Sequence, residues 1–434
     1  MRAPISELQV VVRIDNWDDL LAAYGIWVGE HVRAVVLRNF AVPGLRCQMA
    51  PGGAPYLYID VNNANALCSD PDGPVSLEAL NEQLLTRIAA LHLSFAGQAF
   101  HLMPSIAKAG YRYEGADVVT DRIPGPDSHV DARSAGADLP QRTDEWKSAY
   151  RGDMQLVADC FEALQQKRLQ FAWQPVRHAG TGVDILYHEC LLRVIGHSGV
   201  IQPPGDYVPA LERLGLIRML DRHVVQRVIE ELREAPSLTL AANISAHSVV
   251  GDAWWHSLHK CLAAEPDVAR RLVLEITESA ALPSIPAAAA FIGEMRALGC
   301  KIAIDDFGMG HSSLHHIVAL KPDIVKVDAF YTRWAGQSAD ACTGLGHLVG
   351  LLKSLAPIVV VEGIGSEEER AMVLAAGAAW QQGYHLGCPT SLRPSRCIAV
   401  SQTAALDWDG ASRYLHGALA AAFAASPSLG ATLR

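Results

Sequence analysis

The chain lacks any C-x-x-C pair, and its nine cysteines are scattered and odd in number. A disulfide framework is therefore not the natural reading, and no signal peptide opens the sequence. The thiols are expected to be reduced and the location cytoplasmic. No uninterrupted apolar run is long enough to span a bilayer; the nearest, Ala418 to Ala425, is alanine-rich and too short, so no membrane partner is expected. Positive charge is also in deficit, with 36 Lys and Arg against 46 Asp and Glu, a net charge of −10 and a pI near 5.9. Nucleic acid polymers and anionic surfaces are bound mainly through basic faces, so they are poor candidates. One small phosphate ligand held through metal ions is still compatible with this charge. No G-x-S-x-G elbow and no glycine-rich P-loop is present. His188, His311, His315 and His316 lack zinc-ligand spacing.

Half the residues are hydrophobic and 19% are charged, which supports a packed core in a chain of 434 residues. From Arg122 to Glu145 the sequence is rich in Pro, Gly, Asp and Ser and reads as a linker. The expected organisation is a smaller domain at 1–121, a linker at 122–147, a large domain at 148–395 and a helical tail at 396–434. The large domain opens with a helix, with Met154, Val157, Phe161 and Leu164 at helical spacing and Asp153 as its cap.

Short apolar runs then alternate with helical patterns. The runs are Leu169–Val176, Ile185–Leu192, Leu238–Ile244, Leu272–Ile276, Ile302–Ile304, Ile324–Val327 and Ile358–Val361. Helical stretches include Leu220–Leu232, Ala287–Leu298, Thr343–Leu352 and Glu367–Ala376. This alternation predicts an α/β fold with a mainly parallel sheet closed into a (β/α)8-type, TIM-like barrel. An open doubly wound sheet would bring a glycine-rich turn after its first strand, and Gln174-Pro175-Val176 is not one.

Most runs end in a polar side chain. Glu189, Asn243, Glu275, Asp305 with Asp306, Lys326 with Asp328, Glu362 and Gln382 all fall at such ends. Parallel barrel strands carry these ends to one mouth. Adjacent carboxylates repel and are costly to desolvate, so repeated acids at one mouth call for a compensating cation. An oxygen-rich set without cysteine suits hard ions such as Mg2+ or Mn2+. Two such ions suit phosphodiester hydrolysis. Lys326 could orient the attacking water, and Arg193 could grip a phosphate with its planar fork.

The ordered motifs H-E-C-L-L-R, A-N-I-S, L-E-I-T-E-S, I-D-D-F-G-M-G-H-S-S-L, V-K-V-D, V-E-G-I and Q-Q-G-Y resemble those of the EAL domain across about Asp153 to Pro389. The resemblance implies a modified barrel that cleaves cyclic di-GMP to linear pGpG with two Mg2+ or Mn2+ ions. It assigns metal ligation to Glu189, Asn243, Glu275, Asp305, Asp306 and Glu362. It makes Lys326 the partner of the nucleophilic water, with Glu189 and Glu362 in the catalytic set. It places Arg193, Gln382, Asp328 and Glu278 in the binding and supporting set, and it implies a homodimer through the barrel.

Several positions depart from the pattern. Cys190 stands where Ala is usual, Met309 and His311 change the loop after Asp306, Gly365-Ser366 replaces a Glu-Thr pair, and Leu386 replaces a Phe. Changes around metal ligands commonly cost 10–100-fold in affinity or activity. A silent EAL protein that binds cyclic di-GMP, or a protein partner, without hydrolysis is therefore the alternative reading. Another Mg2+-dependent barrel enzyme, such as an enolising one, would need a base for which the sequence offers no support.

The N-terminal region resembles an α+β GGDEF domain in decayed form. Val10 to Gly25 fits its first strand and helix, and the stretch near Ser105 its last strand. Arg13 occupies the first metal-aspartate position, Leu21 and Ala22 the guanine-contact positions, and the signature is reduced to Gly52-Gly53-Ala54-Pro55-Tyr56. Without carboxylates to hold Mg2+ at a triphosphate, no cyclase activity is expected and a regulatory platform is the expected role.

Overall fold

The structure is a computed structural model, and it describes residues 8–49, 55–61, 76–111, 142–196, 199–277, 281–282, 284–308 and 314–394. Glu278, Met309, His311, Gly52 to Ala54, most of the expected linker and the tail from 395 onward lie outside the described residues. The chain divides into two compact units. The first is Met1–Cys160 with Arg213–Met219 and Asp252–Ser257, and the second holds the remainder.

The first unit contains strands β1 (Leu8–Ile14), β2 (Leu45–Met49), β3 (Tyr56–Val61), β4 (Leu93–Phe95), β5 (Gln98–Phe100) and β6 (Pro104–Tyr111). Its main sheet has the order β2-β3-β1-β6 and is antiparallel throughout, while β4 and β5 form a separate hairpin. Val28, Val32 and Val36 on the helix Trp27–Asn39 are buried, as are Leu80, Leu84 and Ile88 on Leu77–Ala89. Spacings of four residues place each set on one helix face, which accounts for the burial. The strand–helix pair expected from Val10 to Gly25 is present as β1 followed by Trp17–Tyr24.

The helix Asp144–Gln165 starts nine residues before Asp153. Its cap is Thr143, whose Oγ1 accepts from the Trp146 backbone N–H at 3.2 Å. The assignment of Asp153 as the cap is therefore corrected: Asp153 lies within the helix and pairs with Arg213 at 2.7 Å. The polar run from Asp144 hid the extra turns, although Trp146 and Tyr150 continue the apolar stripe.

The second unit holds β7 (Leu169–His178), β8 (Ile185–Ile195), β9 (Ile201–Gln202), β10 (Leu240–Ser245), β11 (Leu272–Thr277), β12 (Lys301–Phe307), β13 (Ile324–Val327), β14 (Ile358–Val361) and β15 (Trp380–Gln381). Pairing runs β8-β10-β11-β12-β13-β14-β15-β7 and returns to β8, closing an eight-stranded barrel. The short β9 only extends β8 as a hairpin. Helices Ile217–Glu234, Ile285–Ala297, Ala339–Lys353 and Glu367–Ala375 fall where the periodicity predicts them. Among the described residues, no helix is long and apolar enough to cross a membrane.

One strand runs against the rest. β7 is antiparallel to both β8 and β15, whereas the other barrel pairings are parallel. Only residues 179–184 join β7 to β8. That is enough for a hairpin and too short for the crossover that a parallel pair needs.

The barrel interior is layered. Val176, Tyr187, Ala241, Val273, Ala303, Ile324 and Val360, one from each of seven strands, form a buried floor, and Trp380 of β15 packs against it. Side chains alternate across a strand, so the next inward-facing position lies two residues nearer the mouth.

Candidate active site

Two residues beyond each floor position stands a polar group. Above Tyr187 is Glu189, above Ala241 Asn243, above Val273 Glu275, above Ala303 Asp305, above Ile324 Lys326, above Val360 Glu362, and above Trp380 Gln382. On the reversed β7 the count runs backwards, and Gln174 stands above Val176. Strand alternation thus carries eight polar side chains from eight strands to one level.

Lys326 is the hub. It is 1% exposed, and its Nζ lies 3.3 Å from Glu189 Oε2, 3.1 Å from Glu275 Oε2, 2.9 Å from Asp305 Oδ1 and 2.8 Å from Glu362 Oε1. Glu189 is also held by Asn243 Nδ2, which donates to its Oε1 at 2.7 Å, and by Gln382 Nε2, which donates to its Oε2 at 2.6 Å. Gln382 reaches Gln174 Oε1 at 3.4 Å, and Gln174 Nε2 donates to the Gly387 carbonyl at 3.2 Å. Gly383 keeps Gln382 in place: a Cβ there would lie 2.2 Å from both N and O of Ile364.

Asp306 departs from strand alternation. The register of β12 on β13 shifts between Ile304 and Phe307, and Asp306 takes a left-handed backbone with φ +52°. A bulge of this kind re-aims a side chain, and Asp tolerates the left-handed region better than most residues. The result is a cluster in which ligand atoms of Asp305, Asp306 and Glu362 lie within 4.8 Å of one another. Atoms of Glu189, Glu275 and Asp305 form a second such cluster. Asp305 belongs to both.

The electrostatics follow from this crowding. Burial lifts the Glu275 and Glu362 carboxyls well above the carboxylate range, and Lys326 offsets only part of the effect. Asp305 is raised for the same reason. Asp306 is pushed up to about 8, first by the charge of Asp305 and then by burial. Glu189 is the exception: burial raises it, but Lys326 and the donors Asn243, Gln382 and Lys326 itself outweigh burial and lower it. Burial alone would lower Lys326, yet Asp305, Glu189, Glu275 and Glu362 hold it well above its usual value.

With all groups ionised, five carboxylates and one ammonium leave four negative charges in the mouth. Two divalent cations would neutralise them. The donor set is all oxygen, as hard cations prefer. Asn243 Oδ1 and Glu275 Oε1 are buried without a hydrogen-bond partner, leaving acceptors suited to a cation. The residues therefore fit a divalent pair.

The remaining expected residues are also placed. Arg193 is buried on β8, on the same strand face as Glu189, and its Nη1 donates to the Leu192 carbonyl at 2.8 Å. Asp328 is buried and caps the helix Ala329–Ala335, its Oδ1 accepting from Phe330 N at 2.6 Å, and its charge adds to the upward push on Asp306. Ser366 caps Glu367–Ala375, and Glu369 reaches back to the Gly365 N–H at 2.7 Å, forming a reciprocal cap in the altered loop. Cys190 is buried and, by strand alternation, faces away from Glu189. Gln174 and Tyr187 belong to the site and its floor but were not singled out by sequence reasoning. Counting two residues along each strand would have found both.

These features define a TIM-like barrel with an acidic mouth built around one buried lysine. The chain belongs to the EAL domain family, whose family model matches residues 157–389. It is 32% identical over 238 residues to the cyclic di-GMP phosphodiesterase PdeF of Escherichia coli, covering 53% of this chain and 31% of PdeF. It is 27% identical over 241 residues to the bifunctional diguanylate cyclase/cyclic di-GMP phosphodiesterase MucR of Pseudomonas aeruginosa, covering 54% of this chain and 35% of MucR. The chain thus spans about a third of the length of these curated relatives. The apo structure of Vibrio cholerae LapD S helix-GGDEF-EAL aligns over 88% of this chain and 89% of its own, with a TM-score of 0.50 and 16% identity, a likeness of fold.

Proposed function

We propose that this chain hydrolyses cyclic di-GMP to linear pGpG, with two Mg2+ or Mn2+ ions held by Glu189, Asn243, Glu275, Asp305, Asp306 and Glu362. The carrying observation is the pair of overlapping carboxylate clusters that share Asp305 beside the buried Lys326. The names of PdeF and MucR support the choice of substrate. Held by these residues, the ions would supply an activated water and neutralise charge at the phosphodiester. Lys326 donates from Nζ to position that water and steadies charge developing at phosphorus. Gln382 and Asn243 fix Glu189 so that its carboxylate stays ionised. Arg193 offers its guanidinium to a phosphate, and Asp328 holds the backbone beyond Lys326. One phosphodiester is opened by water and the other is kept. The N-terminal unit serves as a regulatory platform without cyclase activity, and the barrel forms a homodimer, a state that sedimentation would test.

The purified chain is incubated with cyclic di-GMP and Mn2+ or Mg2+, and pGpG is followed by chromatography. Turnover that disappears in Glu189→Ala supports the reading. Tight binding without product at saturating metal would replace it with a receptor role, and neither binding nor turnover would overturn both.

A further inference from the structure

The strand that carries Asn243 is anchored unevenly. β10 pairs with β11 along its whole length, from Leu240 opposite Leu272 to Ser245 opposite Thr277. On its other side the pairing with β8 stops at Ala241. The half of β10 from Ala242 to Ser245 therefore has a strand partner on one side only. Asn243 lies in that half, and its amide meets two directional demands. Its Nδ2 donates to Glu189 at 2.7 Å, and its Oδ1 is a buried acceptor left for a cation. A small rotation of the strand end would misplace both atoms at once.

Helix side chains supply the anchor that β8 does not. Asp221, on the helix Ile217–Glu234, is 5% exposed. Its Oδ2 accepts from the Ser245 backbone N–H at 2.9 Å and from Ser248 Oγ at 2.6 Å. Both serines are buried. Ser245 Oγ donates to Glu212 Oε1 at 2.7 Å, from the helix Tyr207–Arg213, and accepts from the His247 N–H at 3.3 Å. One carboxylate oxygen thus ties the last residue of β10 to the short turn Ala246–Ser248 that follows it. A carboxylate is costly to bury unless it is hydrogen-bonded, and bonds to an ionised acceptor are among the stronger ones. This turn is therefore held tightly, two residues beyond Asn243.

We propose that Asp221 is a positioning residue for the metal site. By pinning Ser245 and Ser248 it sets the end of β10, and through it the angle at which Asn243 presents Oδ1 to a cation while Nδ2 holds Glu189. The inference rests on the metal-site reading given above. Asp221 acts through Asn243 and not by touching metal or substrate. Outer partners that orient a ligand typically change metal affinity by about 10–100-fold when removed.

The test uses the full chain stripped with EDTA and titrated with Mn2+, free Mn2+ being read from its paramagnetic resonance signal. Asp221→Ala should weaken Mn2+ binding about tenfold. Asp221→Asn, whose amide oxygen can accept the same two bonds, should recover most of that loss. In an Asn243→Ala background Asp221→Ala should have no further effect, because Asp221 acts through Asn243. Ser248→Ala removes one of the two bonds and should weaken binding in the same sense by less. It takes the place of Asp221→Ala in each comparison if that variant does not fold. Native affinity in the folded variant overturns the inference and leaves the metal site standing. Equal weakening with and without Asn243 marks a merely structural role and also overturns it. Asp221→Asn as weak as Asp221→Ala would assign the effect to charge instead of these bonds, and overturns it too. A native chain that binds no Mn2+ would overturn the metal-site reading and this inference together.

Discussion

Asp305 and Asp306 are adjacent in sequence, yet both offer oxygen atoms to one cluster with Glu362, because Asp306 has turned to φ +52° at a bulge. In a regular strand they would face opposite sides of the sheet. The backbone and the carboxylate of Asp306 therefore have separable roles. Asn is at home in the left-handed region and Val is not. Asp306→Asn should abolish or strongly reduce turnover while leaving chemical stability intact. Asp306→Val should do the same to turnover and also cost about 1–2 kcal/mol of stability. Urea melts of the two variants separate these effects; equal stability would show that the left-handed backbone carries no strain.

Metal-free protein should lose stability as pH rises. The Asp306 carboxyl titrates near its ordinary value of 3.8 when unfolded and at about 8 when folded. Between these values the folded chain keeps a proton that the unfolded chain has released. Stability from this group is thus complete below about pH 4 and is lost on approaching pH 8. Glu275, Glu362 and Asp305 are raised and act in the same sense. Lys326, raised above 10.5, stays charged across this window and contributes no slope. Glu189, lowered, contributes stability that is lost only in acid, below this window. Mn2+ must displace the retained protons, so its affinity should rise over the same range. Melting curves from pH 5 to 8 with EDTA and with Mn2+ test this, and a metal-free protein that grew more stable toward pH 8 would contradict it.

Lys326 faces four carboxylates and is all but sealed from solvent. Lys326→Met leaves these acids without their ammonium. Breaking a buried pair in this way typically costs about 3–5 kcal/mol. Denaturation in EDTA should show a loss of this order, and Mn2+ should recover part of it by binding the folded state. Turnover should remain lost with metal present. A Lys326→Met protein as stable as the native chain in EDTA would mean that the acids are largely protonated already.

Gly383→Ala probes the support beneath Gln382. Its Cβ would meet Ile364 backbone atoms at 2.2 Å, and backbone cannot swing aside as a side-chain tip can. Overpacking of this kind costs about 1–3 kcal/mol. The shift should also weaken the bond from Gln382 to Glu189, so kcat should fall along with the melting temperature.

The N-terminal unit should make no cyclic di-GMP from GTP. Arg13, which stands at the expected metal-aspartate position, is the last residue but one of β1 and ion-pairs with Asp15. A guanidinium cannot ligate Mg2+. Incubation with GTP and Mg2+ checks this directly, and any cyclic dinucleotide product would reverse the reading.

Much of the barrel was legible because each strand is a short apolar run that stops at a polar group. Alternation does the rest, and Glu189, Asn243, Glu275, Lys326 and Glu362 fall on one level by count alone. Other features depend on backbone geometry that side-chain pattern does not encode. The left-handed turn of Asp306 is one, and it decides which way a carboxylate points. The reversal of β7 is another, although the brevity of 179–184 hinted at it. Gln174 was missed because its strand must be counted backwards. Tyr187 carries no charge and lies in the apolar floor layer, so its pattern reads as ordinary strand core.

The crowding of five acids around one ammonium in the mouth has a consequence for how long the protein lasts. Proteolysis samples the opened chain, and the population of open chain depends on the stability of the closed form. A barrel with no cation to bind opens more often than one whose folded state is stabilised by bound cations. Ion supply would then set abundance as well as turnover, with starved copies degraded first.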